Sequence, residues 1–140
     1  MAGYSATPLA RKLGIGPGHV VALLDAPPGF PRSLAPLPRD VGLHAALAGG
    51  PFDVVVCFTT RREVLERRVN EIRPALTVAG GLWIAWPKKA SRVPTEVTDE
   101  VVRQVALPLG LVDDKVCAID ETWTGLRLVV RRELRSRAPR

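Results

Sequence analysis

The side chains able to do chemistry in this 140-residue chain gather where its apolar runs end. "LWIAW", residues 82–86, passes straight into Pro87, Lys88, Lys89, Ala90 and Ser91. "DVVVCFTT" ends in Thr59 and Thr60, "VVALLD" ends in Asp25, and "KVCAID" ends in Asp120, with Glu121 and Trp123 just beyond. Two lysines beside hydroxyl groups are what an anion needs, because ammonium groups are compact point charges and hydroxyls rotate to donate. A helix starting after Thr98 would aim its first N–H groups at the same place. The pattern therefore reads as an anion cradle of Lys88, Lys89, Ser91, Thr59 and Thr60, bordered by Asp25 and Glu121, with Trp123 as a wall. The same residues have a ligand-free reading. Lys88 and Lys89 would then pair with Asp120 or Glu121, and exposed pairs of this kind contribute about 0–1 kcal/mol.

Other chemistries find less material. His19 precedes the first apolar run and His44 lies in a separate segment, so both read as structural. Cys57 and Cys117 sit inside apolar runs with neither CxxC spacing nor a neighbouring histidine, which makes them buried thiols rather than metal ligands or a redox pair. "GIGPG", residues 14–18, has alternating glycines but precedes its strand instead of following it, and reads as a turn. No catalytic residue, metal site or cofactor is assigned at this level.

The apolar runs are the elements that must position these ends. Thr7 and Pro8 read as the cap and first residue of a short helix, with Leu9 and Leu13 on one face and Gly14 as its stop. Residues 20–24 form a strand covered on both faces. Residues 26–51 are rich in proline and glycine and leave room for one short helix, near residues 39–48. Residues 53–60 form a second buried strand, and Thr60 caps a helix that buries Val64, Leu65, Val69 and Ile72. Pro74 ends that helix, Gly80 and Gly81 make a turn, and residues 82–86 form a third strand. Thr98 caps a further helix with Val101, Val102, Val105, Ala106 and Leu109 on its buried face, ended by Gly110. "KVCAID" and "LRLVVR" close the chain as an antiparallel pair across "ETWTG". The expected fold is α/β, a truncated Rossmann-like sandwich of about five strands, mostly parallel with a C-terminal antiparallel hairpin. Its first strand stands at a sheet edge, covered either by the opening helix or by a second subunit, the latter giving a homodimer through that edge.

Composition narrows the classes further. At 46% hydrophobic and 24% charged the chain is of globular type, expected as one domain over residues 1–131. It contains no apolar run near the roughly 20 residues of a membrane span, and the expected location is the cytoplasm. The net charge of +6 suggests nucleic acid until it is located: residues 131–140 hold five arginines against one glutamate, four of those six charges. Residues 132–140 thus read as a basic, disordered tail, and nucleic acid is not the expected partner beyond weak binding through it.

The order strand, helix, "AGGLWIAW", helix, "KVCAID", hairpin, "LRLVV" resembles the carboxyl-terminal half of class I S-adenosylmethionine-dependent methyltransferases. Over nearly the whole chain, "TPLARKLGIGPGHVVALLDAPPGF", "WPKKAS" and "DETWTGLRLVVRR" resemble a small actinobacterial family of domains of unknown function, a resemblance that implies no established activity. The methyltransferases place a glycine-rich loop after their first strand and an acidic ribose-binding residue after the next. Here the first strand runs into "DAPPGF", where Gly29 is the one glycine and two prolines remove backbone donors. The 26 residues of 26–51 are also too few for two further strand-helix units, since one βαβ unit needs about 30, so half of the cofactor-binding sheet is expected to be missing. The expectation is therefore a non-catalytic binding or regulatory domain with an anionic small-molecule ligand and no affinity for S-adenosylmethionine. The alternative is a small enzyme acting on an anionic substrate with a nucleotide-type cofactor.

Overall fold

The computed structural model of the chain describes residues 7–135. Strands β1 (Val20–Leu24), β2 (Gly42–His44), β3 (Phe52–Phe58), β4 (Leu76–Pro87), β5 (Leu111–Ala118) and β6 (Trp123–Val130) form one sheet in the order β2-β1-β3-β4-β6-β5. The first four are parallel, and β6 runs antiparallel between β4 and β5. Helices α1 (Leu9–Lys12), α2 (Phe30–Ser33), α3 (Arg62–Ile72), α4 (Asp99–Ala106) and α5 (Arg132–Arg135) complete the fold.

Unbroken apolar strands are needed here because both faces of the sheet are covered. Val55 and Cys57 of β3 and Leu82, Ile84 and Trp86 of β4 face Leu65, Val69 and Ile72 of α3 and Val102 and Val105 of α4. Their neighbours Val54, Val56, Phe58, Trp83 and Ala85 face Ala10 of α1, Phe30 of α2 and the loops beside them. The buried Trp83 Nε1–H donates to the Leu13 carbonyl at 2.9 Å and so fastens the α1 segment to this second face.

Several expectations are corrected. β1 is not an edge strand: it lies between β2 and β3, with Val20, Val21 and Ala22 in register with Gly42, Leu43 and His44. The sheet has six strands, and the first-strand edge is not open to a second subunit. Residues 26–51 do not hold two further strand-helix units, but they do hold one returning strand, because the crossover is the four-residue α2 and the strand has three residues; that is enough to take β1 off the edge. Residues 42–44, expected within a helix, are extended for the same reason. Gly80 and Gly81 belong to β4, not to a turn. The register with β3 jumps from Phe52↔Leu76 to Val54↔Gly81. A Cβ on Gly80 would meet Thr77 Oγ1 at 2.8 Å and the Phe52 carbonyl at 2.9 Å, so only glycine lets the irregular stretch of β4 press against β3.

Helix ends divide similarly. Thr98 caps α4 as expected, its side chain accepting from the Val101 N–H at 3.2 Å. Arg61, not Thr60, is the N-cap of α3, and the Arg62 N–H there is taken by the Glu96 carboxylate, 34 residues away, at 2.9 Å. The N-cap of α1 is Pro8 rather than Thr7. Residues 132–135 form the helical turn α5, with Leu134 packed against the core beside Gly110. The remainder of the expected tail lies outside the described residues.

Candidate functional site

The parallel strands deliver their carboxyl ends to one edge of the sheet: Asp25 after β1, His44 at the end of β2, Thr59 and Thr60 after β3, and Lys88 and Lys89 after β4. Strand order reverses between β1 and β3, since the chain leaves β1 for β2 on one side and builds β3 and β4 on the other. Open α/β sheets bind ligands outside the carboxyl ends at such a point. Two clefts open along this edge.

The first, of about 560 Å³, lies between the ends of β1 and β2 and is walled by Leu23, Pro27, Pro28 and Leu43, with Asp25 and His44 as its ionisable groups. Asp25 adopts a left-handed φ of 57°, a conformation an aspartate tolerates better than most residues. Its Oδ2 accepts from Arg68 of α3 at 3.0 and 3.3 Å. Burial works against the Arg68 charge, but the hydrogen bond and charge of Asp25 more than offset it and hold the guanidinium above its ordinary value. Burial also pushes the Cys57 thiol up to about 12, with the Arg68 charge working the other way, so Cys57 is a neutral core residue. The His44 ring packs edge-to-face on Phe52 at 5.7 Å. A Cβ on Gly49 would lie 3.0 Å from the same ring.

The second cleft, of about 520 Å³, lies between the end of β4 and the start of α4. Lys88, Lys89 and Arg92 border it, the buried Trp86 and Val97 lie beneath, and Thr98 and Thr124 contribute hydroxyls. The turn that presents the cations is closed from within. The Ser91 hydroxyl donates to the Lys88 carbonyl at 2.7 Å and accepts from the Val93 N–H at 3.2 Å, while the Lys88 N–H donates to the Thr122 carbonyl at 2.8 Å. Among the described residues neither lysine forms an ion pair. The ligand-free pairing with Asp120 or Glu121 is therefore not made. Asp120 Oδ1 accepts instead from the Thr122 and Trp123 N–H groups, both at 2.8 Å, and Glu121 is exposed.

The structure thus brings Lys88 and Lys89 together with the start of α4 and puts Asp25 in a different cleft. Ser91 serves the turn. Thr59 is buried between the two clefts, its N–H donating to the Ala85 carbonyl at 3.0 Å. The Thr60 carbonyl accepts from the Glu96 N–H at 2.8 Å and from Thr95 Oγ1 at 3.3 Å. Trp123 stacks edge-to-face on Phe58 at 5.1 Å, on the α1 side of the sheet, and is not a wall of the lysine cleft. Sequence reasoning missed two residues that line the clefts, His44 and Arg92. His44 becomes visible only once residues 42–44 are a strand; Arg92 follows "WPKKAS" directly and was legible as a third cation. Among the described residues no group of three or more His, Cys, Asp or Glu side chains is placed to hold a metal ion, and no helix is long and apolar enough to cross a membrane.

Comparison with known proteins agrees with the sheet. The fold is similar to that of a SAM-dependent methyltransferase from Aquifex aeolicus, with a TM-score of 0.62 at 15% identity over 87% of this chain and 88% of that one. A putative type 11 methyltransferase from Sulfolobus solfataricus gives a TM-score of 0.62 at 11% identity over 88% and 89% of the two chains. The N-methyltransferase NodS from Bradyrhizobium japonicum gives 0.59 at 15% identity over 92% and 100%. At these identities the likeness is one of fold: a mixed α/β, Rossmann-like architecture of methyltransferase type. No family model matches the chain, and no curated protein matches it.

Proposed function

We propose that the chain is a small enzyme that binds a nucleotide-type cofactor in the cleft at the carboxyl ends of β1 and β2 and acts on an anionic substrate held at Lys88 and Lys89. The observation that carries this reading is the position of β1 inside the sheet, which restores the reversal of strand order that the sequence alone had argued away. It reverses the preference drawn from sequence, which rested on β1 being an edge. The similar structure from Aquifex aeolicus is that of a SAM-dependent methyltransferase, which supports S-adenosylmethionine as the first cofactor to try.

The residues of the first cleft fit the nucleoside part of such a cofactor and fit its polar contacts less closely. A volume of about 560 Å³ and walls of leucine and proline suit a purine ring. Pro27 and Pro28 offer it no N–H, and the end of β2 carries the His44 imidazole where the related fold has an acid. When bound, a cofactor of this class supplies the transferable group. The chain's own part is to hold it against apolar walls and to hold the anion near it. β1 and β4 are two strand spacings apart, about 10 Å, so the cofactor must extend along the edge past Thr59 and Thr60 to meet the second cleft.

A second reading, a non-catalytic ligand-binding domain, is favoured by the Asp25 carboxylate being already engaged by Arg68. Calorimetry of the full chain with S-adenosylmethionine and S-adenosylhomocysteine tests the enzyme reading. A dissociation constant in the micromolar range, lost when Ala45→Trp fills the cleft, is expected; no heat with either compound would sink it. Binding without turnover of any phosphorylated or carboxylated substrate would leave the non-catalytic reading standing in its place.

A further inference from the structure

Three non-glycine residues in the described chain have left-handed backbones: Asp25 at φ 57°, Asp40 at φ 59° and Arg92 at φ 62°. Aspartate enters this region with little penalty because its short carboxylate bonds to nearby backbone. Arginine has no such compensation, and glycine is the residue that would close this turn without strain. Arg92 ends the short turn Lys89–Ser91, its N–H donating to the Lys89 carbonyl at 3.1 Å, and its side chain borders the same cleft as the two lysines. Among the described residues its guanidinium forms no ion pair. A strained backbone position under a charged side chain that forms no ion pair among the described residues points to a ligand.

We infer that Arg92 is the specificity-determining residue of the second cleft, and that the ligand there is a phosphate monoester carrying a flat apolar body. This rests on the reading of that cleft as an anion site. Three cations face the opening, and the one carboxylate on its border, Asp99, is already occupied: it accepts from the Glu100 N–H at 2.9 Å and pairs with Arg103 at 3.4 Å. A single carboxylate would leave two of those cations uncompensated, whereas a phosphate monoester carries close to two negative charges at neutral pH and offers three acceptor oxygens. The guanidinium adds what two ammonium groups lack, a planar fork that bonds two phosphate oxygens at once. The body of the ligand meets the small exposed part of Trp86, which the wholly buried Val97 backs from beneath, and Val93 at the rim, a large apolar side chain that is 43% exposed.

Calorimetry of the full chain with phenyl phosphate, inorganic phosphate and benzoate, together with melting curves, tests this inference. Phenyl phosphate is expected to bind the parent at least tenfold more tightly than either of the other two. Arg92→Gly should weaken phenyl phosphate at least tenfold while the melting temperature stays level or rises, since glycine relieves the backbone. Arg92→Lys, which keeps the charge but not the fork, should retain part of the affinity. If Arg92→Gly binds phenyl phosphate like the parent while the paired change Lys88→Ala and Lys89→Ala abolishes binding, the Arg92 inference fails and the anion cleft stands. If benzoate binds as tightly as phenyl phosphate, the assigned ligand class is wrong. A fall of several degrees in Arg92→Gly assigns the residue to the turn and overturns the inference. If none of the three anions binds the parent, the inference and the anion reading fall together.

Discussion

The two clefts at the sheet edge hold opposite kinds of polar group. At the β1–β2 end, Asp25 is satisfied within the protein by Arg68, contributed by α3 across the sheet. At the β4 end, Lys88, Lys89 and Arg92 crowd one cleft with no ion-pair partner among the described residues. A polar group that folding has already paired contributes to the fold and offers little to a ligand, whereas like charges gathered and left unpaired lose free energy through repulsion that a bound anion removes. On the proposed function, the first cleft would recognise mainly by shape and apolar contact, the second mainly by charge.

That contrast can be broken from its strongest side first. Trp86 lies under the lysine cleft and is almost wholly buried in the α3–α4 core, so Trp86→Ala should cost about 3–5 kcal/mol, measured by urea unfolding. A loss below about 1 kcal/mol would mean that the floor of that cleft is not part of the core. Next comes the Cys57 thiol, which the folded chain keeps protonated to about 12 while the unfolded chain releases it near 9.0. The folded state then holds the extra proton, so stability should fall as pH rises through that window, at roughly 1.4 kcal/mol per unit. Melting curves at pH 8 and pH 10 should show a larger drop for the parent than for Cys57→Ala. Equal drops would place the thiol in contact with water.

Arg68→Ala should cost about 1 kcal/mol or less, because the Asp25 carboxylate it leaves behind is half exposed and can take up water. The cost should shrink in high salt. Smallest of all, the paired change Lys88→Ala and Lys89→Ala should move unfolding by less than about 0.5 kcal/mol, as expected for surface charges without partners. A larger loss there would erase the distinction between the two clefts.

The sequence made the lysine end legible and hid the other. Long apolar runs such as "DVVVCFTT" and "LWIAWP" announce buried strands whatever surrounds them, and the polar residues that end them are then located by topology alone. β2 carries no such signal: Gly42, Leu43 and His44 are too few for a periodicity and sit among prolines and glycines, so only the pairing with β1 makes them a strand. Because β2 was invisible, β1 was misplaced at the edge, and the cleft beside it went unseen with its His44. Gly80 misled in a different way, since a Gly-Gly pair is a turn signal locally and a close-approach signal only once β3 lies against it. Ser91 and Asp120 look in the sequence like ligand or ion-pair groups, but short polar side chains beside a turn bond first to their own backbone.

The central claim, that a nucleotide-type cofactor occupies the cleft beside β1, is tested most directly by following the backbone amide resonances of the full chain during titration with S-adenosylhomocysteine. The expected shifts are confined to Asp25, Ala26, Gly29, Leu43 and His44, with smaller ones at Thr59 and Thr60 where the ligand extends along the edge. Saturable shifts that leave those residues untouched and gather around Lys88 to Arg92 would contradict the claim, as would no shift at all at millimolar ligand.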